Sequence, residues 1–95
     1  MGAIVIAEVD VHDPELFEEY RVKVPPLVAK YGGRYLARGG RAELFEGEHA
    51  PKRVVIIEFP TLEQAKAWHD SVEYQPLIAI RQQASHARMI VVEGV

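Results

Sequence analysis

A chain of 95 residues has room for one core and one domain spanning 1–95, and little apolar surface to spare for a second. A formal charge of −3 and a pI near 5.8, without a long basic run, argue against nucleic acid as the main partner. The lack of cysteine removes disulfides, thiolate chemistry and cysteine-based zinc sites together, and no apolar stretch approaches the length of a bilayer span, so a cytoplasmic protein with no membrane partner is expected.

Ala3 to Val9 carries Ile4 and Ile6 on one face and Val5, Ala7 and Val9 on the other, which predicts a strand covered on both sides. Asp13-Pro14 reads as an N-cap followed by proline at the first helical position, where its missing N–H costs nothing. Phe17, Tyr20, Val24, Leu27 or Val28, and Tyr31 then recur at spacings of three and four. Pro25-Pro26 interrupts this stripe, and the spacing predicts a kinked helix rather than two unrelated ones.

Gly32-Gly33 reads as a helix end and turn, and Arg34 to Arg38 alternates as a strand that ends in a bulge or bend at Gly39-Gly40. Ala42 to Glu46 is expected to continue it, before a polar loop from Gly47 to Lys52. Arg53 to Phe59 is a β-branched run closed by Pro60, which predicts a central strand. Thr61 with Gln64 makes a capping box for a helix beginning at about Leu62, whose stripe lays Trp68 against the sheet. Ser71 offers a second cap. Tyr74, Leu77, Ile78 and Arg81 share one face of the short helix that follows, which puts a guanidinium on an apolar stripe. Ala87 to Glu93 is a last strand with apolar residues at both parities.

The order βαββαβ, with an extra helical segment before the last strand, predicts an α+β ferredoxin-like fold with a four-stranded antiparallel sheet. Its helices cover one face only. Strands with Ile, Val or Met on both faces therefore need a second cover, and another copy of the chain is the simplest one, giving a homodimer through the sheet.

Tyr31-Gly32-Gly33-Arg34-Tyr35-Leu36, Arg38-Gly39-Gly40, Glu46-Gly47, Arg53 to Pro60, Ala67-Trp68, and Ser71 with Glu73-Tyr74 and Arg81 together resemble the domain of unknown function 1330 family over essentially the whole chain. The resemblance implies a protomer of the dimeric α/β-barrel superfamily, whose sheet joins that of a partner. Relatives in that superfamily include cofactor-independent monooxygenases of polyketide quinones, muconolactone isomerases and haem-dependent chlorite-degrading enzymes. Such diversity means that fold alone carries no function. His69 stands where the family often has tyrosine.

Trp68, Tyr74 and Arg81 form the most suggestive set of side chains. An aromatic wall, a phenol and a fixed cation suit a planar, oxygenated or carboxylated small molecule. Arg38, Glu46 and Arg53 are expected to approach from the sheet, and Tyr20 from the first helix. The competing reading is a packed core in which Arg81 pairs with Glu46 or Glu58. His69 is the one candidate general base. The four histidines are scattered without metal-ligand spacing, so neither metal nor cofactor is expected, and no catalytic nucleophile stands out. Glu58 and Glu93, which end two strands, are expected to face water or to meet as a carboxylate pair.

The two functional readings are a small-molecule-binding homodimer, with enzymatic action on an aromatic or carbonyl substrate, and a dimeric structural domain with no dedicated ligand.

Overall fold

Alternating side chains along four extended segments set the architecture. The computed structural model describes residues 2–95, with β1 (Ala3–Val11), α1 (Pro14–Lys30), β2 (Arg34–Arg38), β3 (Arg53–Phe59), α2 (Leu62–Asp70), α3 (Gln75–Ala84) and β4 (Ser85–Glu93). The strands form one antiparallel sheet in the order β2-β3-β1-β4, which is the ferredoxin-like α+β arrangement. β3 and β1 are central, as their β-branched composition predicts. Ala42 to Glu46 has no regular structure and does not extend the sheet. All five of its residues are exposed, so no core face holds it in a ladder.

On the helix side, Val5, Ala7 and Val9 of β1 meet Ile57 and Phe59 of β3 and the inner faces of the helices. The opposite side presents Ile56, Ile6 and Ile90 in one cross-strand row, with Ile4 and Val92 beside it. No helix lies on this second face, and Ile90 and Val92 are about half exposed. The apolar rows give way to Glu8 opposite Arg88, and then to Asp10 opposite His86. Glu58 bonds Arg34 of the neighbouring strand at 2.8 Å and makes no pair with Glu93.

α1 passes through Pro25 and Pro26 as one helix and buries Phe17, Tyr20, Val24, Leu27 and Val28. The buried stripe is in phase on both sides of the prolines, so packing holds the helix together where its own hydrogen bonds are missing. Asp13 caps it by accepting from Leu16 N–H at 3.2 Å. At its far end Gly33 has no room for a side chain, since a Cβ there would sit 2.7 Å from the Phe59 ring and 2.8 Å from Val28. That contact locks helix end to sheet.

Thr61 caps α2 by accepting from Gln64 N–H at 3.1 Å. The Gln64 side chain reaches back to the cap residue through its oxygen, which accepts from the Thr61 hydroxyl at 3.2 Å rather than from the backbone N–H of a capping box. Its amide donates to the Tyr31 carbonyl at 3.2 Å and so ties α2 to the end of α1. Ser71 receives Tyr74 N–H at 3.2 Å and donates to the Trp68 carbonyl at 2.8 Å, turning the chain from α2 into α3. β4 starts at Ser85, two residues earlier than its apolar run suggests, because Ser85 pairs with Val11 at the extended end of β1. Among the described residues no helix is long and apolar enough to cross a membrane.

Candidate functional site

Between α1, the α2–α3 segment and the sheet lies a cavity of about 30 Å³ whose polar wall is formed by Tyr20, Arg21, Tyr35, Arg38, Arg53 and Arg81. Phe17, Val55, Ile57 and Trp68 contribute to its apolar wall. That volume admits a water or two and falls well short of the roughly 300 Å³ at which drug-sized ligand sites begin.

Arg81 arrives here because Tyr74, Leu77 and Arg81 are buried together along one face of α3. It is 7% exposed, yet among the described residues no carboxylate lies within salt-bridge distance of it. Glu58 is engaged by Arg34 and faces the other side of the sheet, and Glu46 is in the exposed loop after β2, so neither expected partner reaches Arg81. Instead Arg81 Nη1 donates to the Tyr74 hydroxyl at 3.0 Å, and the guanidinium carbon stands 5.9 Å from the centre of the Tyr20 ring. The Tyr20 and Tyr74 hydroxyls are 2.7 Å apart.

Tyr74 itself is fully buried behind Tyr20 and Arg81 and stacks on Trp68 with ring centroids 4.4 Å apart. It is an anchor for the wall rather than part of its surface. Burial, reinforced by the adjacent Tyr20, raises its pKa far above the ordinary phenol value despite the opposing effect of Arg81. Tyr74 is therefore a neutral hydrogen-bonding group and not a base at any physiological pH.

The sheet-side cations are positioned by three local devices. In β2 the pairing shifts between Tyr35 opposite Ile57 and Ala37 opposite Ile56, leaving Leu36 as the extra residue of a bulge. The bulge lies at Leu36, while the expected bend is found at Gly39, and the bulge turns Arg38 to the helix side opposite Val55. Gly39 follows with φ +71°, donating to the Val54 carbonyl at 2.9 Å; a Cβ there would lie 2.2 Å from the Arg53 guanidinium. Glycine is what lets Arg53 lie against the strand end. Third, Pro25 has no N–H to offer the Arg21 carbonyl one turn earlier, and Arg38 Nη2 fills that vacancy at 2.5 Å.

The resulting electrostatics are one-sided. Arg21 bonds Glu18 at the exposed rim, whereas Arg38, Arg53 and Arg81 have no carboxylate partner among the described residues. Burial, together with the nearby Arg38 and Arg21 guanidinium groups, holds Arg53 below the ordinary arginine range. Burial also pushes the Tyr35 phenol up to about 12, against the pull of Arg38. Among the described residues three buried side-chain nitrogens lack a protein acceptor, Arg53 Nε, Trp68 Nε1 and Arg81 Nε, and all three belong to residues that line this cavity.

Of the residues singled out from the sequence, Tyr20, Arg38, Arg53, Trp68 and Arg81 meet at one cavity, and Tyr74 supports it from behind. Glu46 is elsewhere. His69 is exposed and lines a separate groove of about 210 Å³ beside β4, on the far side of Trp68 from the arginines. It is no base for the cationic cavity. Sequence reasoning missed Arg21 and Tyr35. Arg21 lies one turn past Phe17 at the edge of the α1 stripe, and Tyr35 has the same strand parity as the core, so both carried a signal. No group of three His, Asp or Glu side chains among the described residues is arranged to hold a metal ion.

Comparison with known proteins agrees with this architecture. The domain of unknown function 1330 family matches residues 2–95, and the chain belongs to that family. No curated protein matches its sequence. A protein of unknown function from Rhodopseudomonas palustris superposes with a TM-score of 0.78 at 20% identity, covering 99% of this chain and 82% of that one. SnoaB, a cofactor-independent oxygenase from Streptomyces nogalater, gives 0.71 at 14% identity, covering 99% and 93%. A dimeric ferredoxin-like protein of unknown function from Thermobifida fusca gives 0.60 at 14% identity, covering 99% and 92%. At these identities the likeness is one of fold.

Proposed function

We propose that the chain is a single-domain, homodimeric small-molecule-binding protein that receives an aromatic or carbonyl-bearing compound between its helices and sheet. The observation that carries this reading is the set of three buried donors without protein acceptors, all on residues of one cavity. Buried polar groups are nearly always paired, and donors gathered at one site fit a ligand that brings oxygen acceptors. Cofactor-independent chemistry of the oxygenase or isomerase type is compatible with the site, and SnoaB, described as a cofactor-independent oxygenase, shares the fold. The lining has no histidine or carboxylate to act as a base, so its contribution would be to orient a substrate and stabilise negative charge on oxygen. The small volume favours the other reading, a dimeric domain with no dedicated ligand.

The homodimer is supported by the uncovered rows Ile56-Ile6-Ile90 and Ile4-Val92, and the Thermobifida fusca protein of similar fold is described as dimeric. Sedimentation should then give about twice 10.7 kDa, and Ile56→Asp should shift the protein toward monomer. Trp68 is the single tryptophan and lines the cavity, so its fluorescence reports occupancy directly. A panel of quinones, phenols and aromatic acids should contain compounds that quench or shift that emission saturably and raise the melting temperature. Unchanged emission and melting across the panel would favour the reading without a ligand.

A further inference from the structure

Among the described residues, four guanidinium groups surround the cavity, and the only carboxylate bonded to any of them is Glu18 at the exposed end of Arg21. Such crowding opposes itself. Arg53 is depressed by burial and by two like charges, and Arg81 is almost fully buried with a neutral phenol as its hydrogen-bonding partner. A buried cation without a charged partner is costly, and a chain folding for packing alone would place an aliphatic residue at Arg81, the one buried member of the four. An anion resolves the conflict. The walls restrict its shape, because Phe17, Tyr20 and Tyr35 present rings beside the planar guanidinium groups of Arg53, Arg81 and Arg38, with ring–cation distances of 5.6, 5.9 and 4.9 Å.

We infer that this cavity binds a small planar carboxylate, an aromatic or conjugated acid whose carboxylate meets Arg53 and Arg81 while its flat apolar body lies among Phe17, Tyr35 and Trp68. This rests on the small-molecule reading above and narrows it to one ligand class. Guanidinium forks match carboxylate and phosphate alike, so the preference rests on the walls: once the side chains around the cavity of about 30 Å³ part, a flat conjugated body can stack among Phe17, Tyr35 and Trp68, and phosphate has no such body. The Arg38 guanidinium is held at the rim by the Arg21 carbonyl and gives the entrance the same sign as the interior. Binding should accordingly weaken as salt is added.

The test compares benzoate and trans-cinnamate with benzamide and cinnamamide, and with inorganic phosphate, by calorimetry and by Trp68 fluorescence on the intact protein. The acids should bind at least about tenfold more tightly than their amides, as expected for hydrogen bonds gaining a charged acceptor. Phosphate should bind more weakly than either acid. Arg81→Met and Arg53→Gln should each reduce acid binding by a similar factor, and Arg34→Gln, which alters the Arg34–Glu58 pair on the opposite face, should leave it unchanged. Acid and amide binding equally would overturn the carboxylate assignment and leave the small-molecule reading intact. Phosphate binding as well as benzoate would also overturn it, in favour of a general oxyanion site. If neither acids, amides nor quinones bind, both readings fall. The acid–amide comparison needs only the wild-type protein and stands even where a variant does not fold.

Discussion

The two ends of the helix–sheet layer are built from opposite materials. At one end Phe59 and Val28 are nearly or wholly excluded from solvent, the Phe59 ring lies 5.4 Å from that of Trp68, which bridges to the cavity, and Gly33 has given up its side chain to let the helix end close on Phe59 and Val28. At the other end the same layer holds four arginines and three tyrosine hydroxyls around a small cavity. The first end follows the rule that dense apolar packing stabilises a fold. The second violates it, and the fold can carry that violation because the dry end supplies stability. A site that departs from local rules is where function is to be sought.

The sharpest way to break this comparison is at the dry end. Phe59→Ala removes a fully buried ring and should lower unfolding free energy by about 3–5 kcal/mol, read by urea denaturation. A loss below about 1 kcal/mol would mean that the two ends are equally loose. The matching change at the cationic end is Arg81→Met. It leaves no carboxylate unpaired and removes a desolvated charge, so stability should stay within about 1 kcal/mol of wild type or rise. A loss of about 3–5 kcal/mol would reveal a charged partner for Arg81 in solution.

The smallest effect is a titration. Tyr35 in the folded chain ionises near 12, whereas an unfolded tyrosine ionises near about 10. Between those values the unfolded state has released its proton and the folded state has not, so unfolding free energy falls as pH rises through the window. Tyr74 shifts in the same direction and extends the loss to higher pH. Tyr35→Phe should make the decline with pH shallower, as followed by melting temperature at a series of alkaline pH values. An identical decline would place Tyr35 in solvent.

Much of the dry end was legible in the sequence. Strand alternation in β1 and β3, the Asp13-Pro14 and Thr61 caps and the α1 stripe are local patterns, and local patterns survive into the fold. The cationic end was only partly legible. That Arg81 lies on a buried face follows from spacing, but its partner is decided by which strand turns which side to the helices. The bulge at Leu36 reverses that for Arg38, and no turn residue marks it. Glu46 was drawn toward the site by an assumed continuation of β2, which lacks a core face to hold it. His69 follows Trp68 by one residue and so faces away from the cavity, as neighbours on a helix must.

The two prolines inside α1 also change meaning once the neighbouring strand is in view. A helix satisfies its own main chain and ordinarily has little left to offer; one missing rung turns the Arg21 carbonyl outward as a docking point for a side chain from elsewhere in the chain. The connection between α1 and β2 thus runs through a vacancy in the helix rather than an addition to it, and the rim of the cavity is gripped by main chain, whose chemistry no substitution at position 21 other than proline or a helix-breaking residue would alter. A change of the Arg21 side chain would therefore remove one cation from the rim while the backbone at that position still steers Arg38.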